Sequence, residues 1–330
     1  MTNDTAAWAD PAWLAAATEW IAAALPADRR LAGPIERLHI RPWSTVLRAP
    51  TTAGDAYFKA VAPLLAHEVA LTAALAGWVP AATLAPLAAD AERGWLLLPD
   101  GGATLRPIIR ADRDAGHWER ALPAYAAAQI ALAEHTSAML ALGVPDRRPG
   151  ALPGLYARLL ASLPALEVES EYALGADELG RLHVSHGLIE ELCARLEAGA
   201  IPASLNHGDL HDANVFMGDG RPRFFDWGDA SLSHPFVSLR TVFVSVEIAL
   251  DLPDGGAAGL PLRDSYLEPW RRFAPAAAVL ETFRLAQRIA PLVSALSWQR
   301  AVAPLPADQR RWQGVNVHHL LRELLEGLEA

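Results

Sequence analysis

Apolar residues recur along the chain with two different spacings, and the first hundred residues mix both. Helical spacing predicts peripheral and buried helices, whereas short β-prone runs separated by Pro42 and by the Pro50 to Gly54 stretch predict an antiparallel meander. The predicted elements are a helix over 11–25, strands over 35–40, 44–48 and 55–61, a helix over 64–75, and strands over 83–87 and 94–98.

Beyond residue 99 almost all of the spacing is helical. The predicted helices lie near 117–142, 155–163, 176–198, 236–250, 264–272, 276–298 and 308–328. The exception is 205–229, where short strands flank a turn. The stretch Pro99-Asp-Gly-Gly102 interrupts the pattern and is a candidate linker. We therefore expect an α+β protein with a small antiparallel-sheet lobe over 1–98, a linker over 99–102 and a larger, mainly helical lobe over 103–330.

Composition narrows the class of protein. The chain has 330 residues, of which 52% are hydrophobic and 20% charged, so it is long and apolar enough to fold around a large core. Its net charge of −10 disfavours a nucleic-acid partner. The single cysteine, Cys193, excludes an internal disulfide and a cysteine-based zinc site. Neither a secretory signal nor a membrane-spanning pattern is visible, so the expectation is a cytoplasmic protein without a membrane partner. The sequence does not specify an oligomeric state.

One lysine stands out among the cations. The 28 basic residues comprise 27 arginines and Lys59 alone. Because every other basic residue is arginine, Lys59 is a candidate for a position that requires an ammonium group. The arginine and lysine side chains differ in width and charge density, so they are not interchangeable in a tight site. The alternative is the chance survival of a surface lysine.

The segment from Leu205 to Trp227 carries the chemistry. Apolar triplets at 215–217 and 223–225 surround Gly218-Asp-Gly220, which predicts a β-hairpin. The open end of that hairpin would bring Asn214 beside Asp226, and two hard oxygen ligands with room for phosphates suit Mg²⁺. Asp209 lies on the same loop and is free to act as a base. A base beside a magnesium–phosphate complex indicates phosphoryl transfer to a hydroxyl, with Lys59 on the phosphates and Glu68 paired to Lys59.

The run His207-Gly-Asp-Leu-His-Asp-Ala-Asn214, followed by Phe225-Asp-Trp227, resembles the aminoglycoside phosphotransferase and choline-kinase-like family of small-molecule kinases. The resemblance implies a bilobal protein-kinase-like fold with ATP in the cleft. It implies Asp209 as catalytic base, Asn214 and Asp226 as magnesium ligands and Lys59 on the α- and β-phosphates.

The same resemblance implies the residues around the nucleotide. Backbone groups at Leu97, Leu98 and Asp100 would hold the adenine. No glycine-rich loop precedes the second strand, so backbone amides at Ser44 and Thr45 would cover the phosphates instead.

The phosphate acceptor stays open. An aminoglycoside would need acidic residues, of which the helical part offers Asp212, Asp229, Glu247, Asp251, Asp264 and Glu268. Choline or another amino alcohol would use aromatic faces, for which Trp227 and Trp270 are candidates. A neutral sugar, a nucleoside and a catalytically silent nucleotide-binding module are alternatives. His207 and His211 could also hold zinc for hydrolysis, although His207 is better explained as structural support of the loop.

Overall fold

The computed structural model describes residues 5–218 and 220–329. Five antiparallel strands, in the order β1-β2-β3-β5-β4, form a sheet in the N-terminal part. The strands are β1 (Glu36–Ile40), β2 (Ser44–Ala49), β3 (Ala56–Val61), β4 (Ala88–Asp90) and β5 (Trp95–Pro99). Most of the remaining chain is helical, so the α+β architecture expected from the sequence is confirmed.

One helix packs on each face of the sheet, and the side chains of β3 alternate between these two faces. Helix α2 (Pro11–Ala24) follows the short α1 (Thr5–Ala9) and packs on one face, where Ile21, Phe58 and Trp95 are buried together. Helix α3 (His67–Trp78) lies on the other face. Because successive strand residues point to opposite faces, Lys59 points away from the α2 core and toward the α3 side. The alternation of β3 therefore sets the direction of the only lysine.

Helices dominate the chain after β5. They are α4 (Leu105–Asp112), α5 (His117–Leu132), α6 (Thr136–Ala141), α7 (Leu152–Ser162), α8 (Ala176–Val184), α9 (His186–Glu197), α10 (Leu239–Leu250), α11 (Leu262–Leu267), α12 (Ala276–Val302) and α13 (Ala307–Glu329). The longest two, α12 and α13, pack on each other and bury an apolar face. Over 5–218 and 220–329, no helix combines the length and the apolarity needed to cross a membrane.

The segment 205–229 contributes short strands to two small sheets in the helical part. Strands β6 (Asp146–Arg147), β10 (Ser231–Ser233) and β7 (Ser204–Asn206) form a sheet in that order, with β10 parallel to β6 and antiparallel to β7. Strands β8 (Val215–Phe216) and β9 (Arg223–Phe224) form the expected hairpin. Asp219, at the centre of its expected turn, lies outside the described residues.

Several sequence-based boundaries are wrong. The expected strand over 83–87 lies instead at β4, because pairing with β5 gives strand geometry to an Ala-Ala-Asp segment of low β-propensity. The expected helix over 117–142 is α5, a 3₁₀ turn and α6, and the one over 176–198 is interrupted at Ser185. Helix α4 was not expected at all, since Pro107 and three charged residues obscure its apolar spacing.

The stretch that joins the two parts approaches the hairpin closely. The amide of Met217 donates to the carbonyl oxygen of Ala103 at 2.8 Å, and Thr104 forms an isolated bridge with Phe216. A Cβ added at Gly101 would overlap the ring of Phe216. Glycine at this position therefore lets the segment that follows β5 pack directly against the β8–β9 hairpin.

We expect Gly101→Ala to lower the free energy of unfolding by about 2 kcal/mol, because the ring of Phe216 must leave its position in a close-packed region. Gly33→Ala is the matched control, since Gly33 also lies outside helices and strands and a Cβ there makes only ordinary contacts with Pro50 at 3.7 Å. Urea titration of both variants measures the difference. Equal stability of the two would show that the linker and hairpin do not pack as described.

Candidate active site

Lys59 is held between two carboxylates. Its Nζ lies 2.6 Å from Oε1 of Glu68 on α3 and 2.6 Å from Oδ1 of Asp226, which follows β9. The Glu68 side chain is only 1% exposed, so its charge depends on the lysine for compensation. The contact with Asp226 joins two residues that are 167 positions apart in the chain. The pair of Lys59 and Glu68 proposed from the sequence thus forms in the structure, with Asp226 as a further partner.

Lys59 and its two carboxylate partners shift one another's pKa values. Burial alone would lower the pKa of Lys59, but the carboxylates of Asp226 and Glu68 outweigh burial and raise it. Burial likewise opposes ionisation of Asp226, yet the ammonium of Lys59 keeps the pKa of that carboxyl below its usual value. Burial raises the pKa of Glu68 against the opposing ammonium. The lysine is therefore a fixed positive charge at the cleft.

The hairpin places Asn214 and Asp226 at its open end. Val215 pairs with Phe224, and the amide of Phe225 donates to the carbonyl oxygen of Asn214 at 3.2 Å. Asp226 has a left-handed backbone, with φ +66°, which ends the strand and turns the chain.

The amide group of Asn214 also orients Asp209. Its Nδ2 donates to the Asp209 carbonyl oxygen at 2.9 Å and to Asp209 Oδ2 at 3.2 Å. The amide oxygen of Asn214 therefore faces away from Asp209, and Asp226 engages Lys59 through only one of its oxygens. One amide oxygen and one carboxylate oxygen form a donor set suited to Mg²⁺ that also binds substrate phosphates.

His207 supports the loop from within. It is fully buried, its Nε2 lies 2.8 Å from the carbonyl oxygen of Phe225, and its Nδ1 accepts from the amide of Asp209 at 3.3 Å. Burial lowers its pKa, and both ring nitrogens are engaged by the loop. Among the described residues, no three His, Cys, Asp or Glu side chains form a metal-binding group. The alternative of a zinc centre at His207 and His211 is therefore not supported.

A cavity of about 370 Å³ opens beside Lys59 and Asp226. Phe216 and Phe225 stack in its wall with ring centroids 4.1 Å apart, in an arrangement suited to a flat aromatic base. Of the residues expected at a nucleotide, Ser44, Leu98 and Asp100 also line this cavity together with Lys59 and Glu68.

Thr45 and Leu97, whose backbone groups were expected at the nucleotide, are not among the residues that line this cavity. The hydroxyl of Thr45 donates to the carbonyl oxygen of His39 at 2.8 Å, and its side chain is buried. Leu97 is fully buried in the α2 core, and its carbonyl oxygen accepts from the amide of Leu87 at 2.7 Å. His39 and Tyr57 line the cavity instead and were not expected from the sequence.

A second cavity, of about 250 Å³, is lined by Asp209. Asp229 lines it, and the rings of Trp43 and Trp298 contribute aromatic walls. Burial, with the nearby charges of Asp209 and Asp226, raises the pKa of Asp229 to about 6. Gly208 has φ +80°, and a Cβ there would overlap the carbonyl oxygen of Asp229. This close crossing brings Asp209 and Asp229 into one cavity.

Most of the acidic and aromatic residues considered for the acceptor lie elsewhere. Trp227 and Trp270 are buried in the apolar core and present no face to a ligand. Asp251, Asp264 and Glu268 form ion pairs with Arg113, Arg263 and Arg271, and Glu247 accepts the amide of Ala257. Trp298 was missed, because no local motif links a residue on α12 to the loop around 209.

Comparisons with known proteins agree with this fold. No protein-family model matches the sequence, and no curated protein sequence matches it significantly. Solved structures do match. A choline/ethanolamine kinase family protein from Mesorhizobium loti is 19% identical, with a TM-score of 0.56 over 96% of this chain and 99% of that chain.

Two further structures give similar values. Choline kinase from Streptococcus pneumoniae is 14% identical, with a TM-score of 0.61 over 96% of this chain and 98% of that chain. A macrolide 2′-phosphotransferase from Brachybacterium faecium is 18% identical, with a TM-score of 0.57 over 87% of this chain and 93% of that chain. The protein therefore has the protein-kinase-like fold shared by choline/ethanolamine kinases and the aminoglycoside and macrolide phosphotransferases, as its sequence resemblance implied.

Proposed function

We propose that the protein transfers the γ-phosphoryl group of ATP to a hydroxyl of a small molecule, in a reaction that requires Mg²⁺. The observation that carries this proposal is the position of Asp209. Asp209 lines the cavity of Asp229, and its loop is joined through Asn214 to the hairpin that lines the cavity of Lys59. A carboxylate on one cavity, tied through its loop to the wall of a second cavity that contains a fixed cation, suits transfer between two bound molecules.

Each residue has a distinct role in this reaction. Asp209 accepts the proton of the acceptor hydroxyl, whose oxygen forms the new bond to the γ-phosphorus as the bond to ADP breaks. Lys59 stabilises the negative charge of the phosphates without forming a covalent bond. Asn214 orients Asp209 and, with Asp226, would hold Mg²⁺, which offsets phosphate charge when it is bound. The rings of Phe216 and Phe225 would hold the adenine of ATP.

We propose an amino alcohol as the acceptor, in which an ammonium lies near the reacting hydroxyl. Asp229 supplies a carboxylate on the same cavity as Asp209, and Trp43 and Trp298 supply ring faces for a cation. The cation of Arg240 also lines the cavity, but Nε of Arg240 lies 2.7 Å from Oε1 of Glu323 and its charge is thereby compensated. This arrangement favours a positively charged group over a neutral sugar.

An ATP-consumption screen tests the activity directly. The purified protein with Mg²⁺ is assayed against aminoglycosides, amino alcohols, neutral sugars and nucleosides, and phosphorylated product is identified by mass spectrometry. We expect transfer to an amino alcohol and none when magnesium is chelated. ATP binding without transfer to any acceptor would favour the silent nucleotide-binding module.

We expect Asp229→Asn to raise KM for an amine-containing acceptor about tenfold or more, while the KM for ATP stays near the wild-type value. Loss of one ion pair in a partly desolvated cavity has this magnitude. Asp177→Asn is the control, since that carboxylate is 87% exposed on α8. An unchanged acceptor KM would remove Asp229 from the acceptor site.

The pH dependence gives a second measure of the same carboxylate. The ionised form of Asp229 binds an ammonium, and its pKa lies at about 6 in the protein without ligand. We therefore expect wild-type kcat/KM for the amine to fall as pH decreases through 6. In Asp229→Asn this limb should flatten, so a profile identical to that of the wild type would contradict the assignment.

A further inference from the structure

A third cavity, of about 200 Å³, also has Asp209 in its wall, and neither Trp43 nor Trp298 lines it. Asp209 and Thr241 line both this cavity and the one that contains Asp229. The two spaces therefore share the residue that we assign as the base. A molecule whose hydroxyl reaches Asp209 has two cavities available for the groups that flank that hydroxyl.

The wall formed by α10 is apolar and open. Val244 and Ile248 lie one helical turn apart on the face that begins with Thr241, and both line the third cavity. Val244 is 38% exposed and Ile248 is 69% exposed, so their apolar surface in the cavity is not covered by other described residues. Large apolar side chains with this exposure are few among the described residues, and these two occur together beside Asp209.

The opposite wall is polar and comes from α4. Arg106 Nε lies 2.7 Å from Oδ1 of Asp212, which is almost fully buried, and Arg110 is exposed at the rim. Asp212 is therefore engaged by Arg106 and does not present a free carboxylate to this cavity. A polycationic ligand would meet the exposed guanidinium of Arg110 here, whereas an uncharged apolar group would meet Val244 and Ile248.

We infer that the acceptor has an apolar body on one side of the reacting hydroxyl, which lies against Val244 and Ile248, and its ammonium on the other side. The inference rests on the proposed function, because it places the acceptor hydroxyl at Asp209. It names a hydrophobic amino alcohol with an internal hydroxyl as the substrate class. Small hydrophilic amino alcohols would leave the α10 wall uncovered, and polycations would lie against Arg110 of α4.

Matched amino alcohols test this wall. The compounds 1-amino-2-propanol and 1-amino-2-octanol share the amine and the secondary hydroxyl and differ only in alkyl length. Calorimetric titration of the full-length protein measures the affinity for each. We expect the octanol to bind at least about tenfold more tightly, since each buried methylene strengthens binding about three- to fourfold when it is fully removed from water.

Two variants locate the effect. The double substitution Val244→Thr and Ile248→Thr keeps the branched shape and removes apolar surface, so the preference for the octanol should disappear while the affinity for the propanol stays the same. Val184→Thr, at a site on α8 that is 85% exposed, is the matched control and should retain the preference. Equal wild-type affinities, undetectable binding of the octanol, or a preference that survives in the double variant would each overturn the inference.

Phosphate transfer is measured separately with the same compounds. Tighter binding of the octanol without transfer to any alcohol would support the apolar wall and contradict the proposed function. Efficient transfer to the propanol with no gain for the octanol would support the function and overturn the inference. The two proposals can therefore fail independently.

Discussion

Replacing Asp209 by Asn should lower kcat about a thousandfold and leave the affinity for magnesium and ATP nearly unchanged. The variant removes a proton acceptor, which typically contributes between about 10² and 10⁴ in rate. It keeps the shape of the loop, because the carbonyl oxygen of Asp209 still accepts from Asn214 Nδ2 at 2.9 Å. Lys59 retains its contacts with Glu68 and Asp226.

The measurement separates chemistry from binding. Single-turnover transfer reports the chemical step, and titration with a non-hydrolysable ATP analogue in the presence of Mg²⁺ reports nucleotide binding. Asp177→Asn makes the same chemical change at an exposed position and should behave as the wild type. If Asp209→Asn retained most of its turnover, the proton would go elsewhere, and the assignment of Asp209 as base would fail.

Features that depend on neighbouring residues could be predicted from the sequence. The hairpin over 215–224 follows from two apolar runs around glycines, and its open end places Asn214 and Asp226 without knowledge of the rest of the chain. Lys59 lies near the end of β3 and Glu68 lies nine positions later, near the start of α3. Their pairing could therefore also be predicted from the sequence. In these segments local geometry and turn chemistry determine the outcome.

The cavity that contains Asp229 could not be predicted in the same way. It gathers Trp43 from the turn before β2, Thr241 from α10 and Trp298 from α12, and no spacing in the sequence connects them. The contact of Lys59 with Asp226 has the same character, because it depends on how the sheet docks on the helical part. For such residues the tertiary arrangement supplies the information that a motif lacks.

Core packing also overrides chemistry suggested by residue type. Trp227 and Trp270 were candidates for a cation site because indole faces attract cations. Both are buried in the apolar core instead, because a large ring buries more apolar area there than at the surface. Strands of two or three residues, such as β6 and β10, are too short to show an alternation, so their pairing appears only in the folded chain.

Lys59→Arg should cost nearly as much activity as Lys59→Met, although the first conserves the charge. The ammonium has carboxylate oxygens at 2.6 Å on two sides, in a space where its side chain is 14% exposed. A guanidinium is wider and spreads its charge over a plane, so it cannot occupy the same point between Glu68 and Asp226. Displacing a preorganised charge from the phosphates should cost about 3 kcal/mol in the transition state, or about a hundredfold in kcat/KM.

The stability of the Met variant needs its own control. Lys59→Met leaves Glu68 buried without its partner, and breaking such a pair destabilises a protein by about 3–5 kcal/mol. Adding Glu68→Gln removes the uncompensated charge, so the double variant should recover much of the thermal stability and none of the activity. Measurement of kcat/KM at saturating Mg²⁺, with a thermal melt for each variant, separates the two effects. If Lys59→Arg worked within a few-fold of the wild type while the folded double variant stayed inactive, the site would need only a positive charge. The single lysine among 28 basic residues would then reflect chance and not a requirement of the cleft.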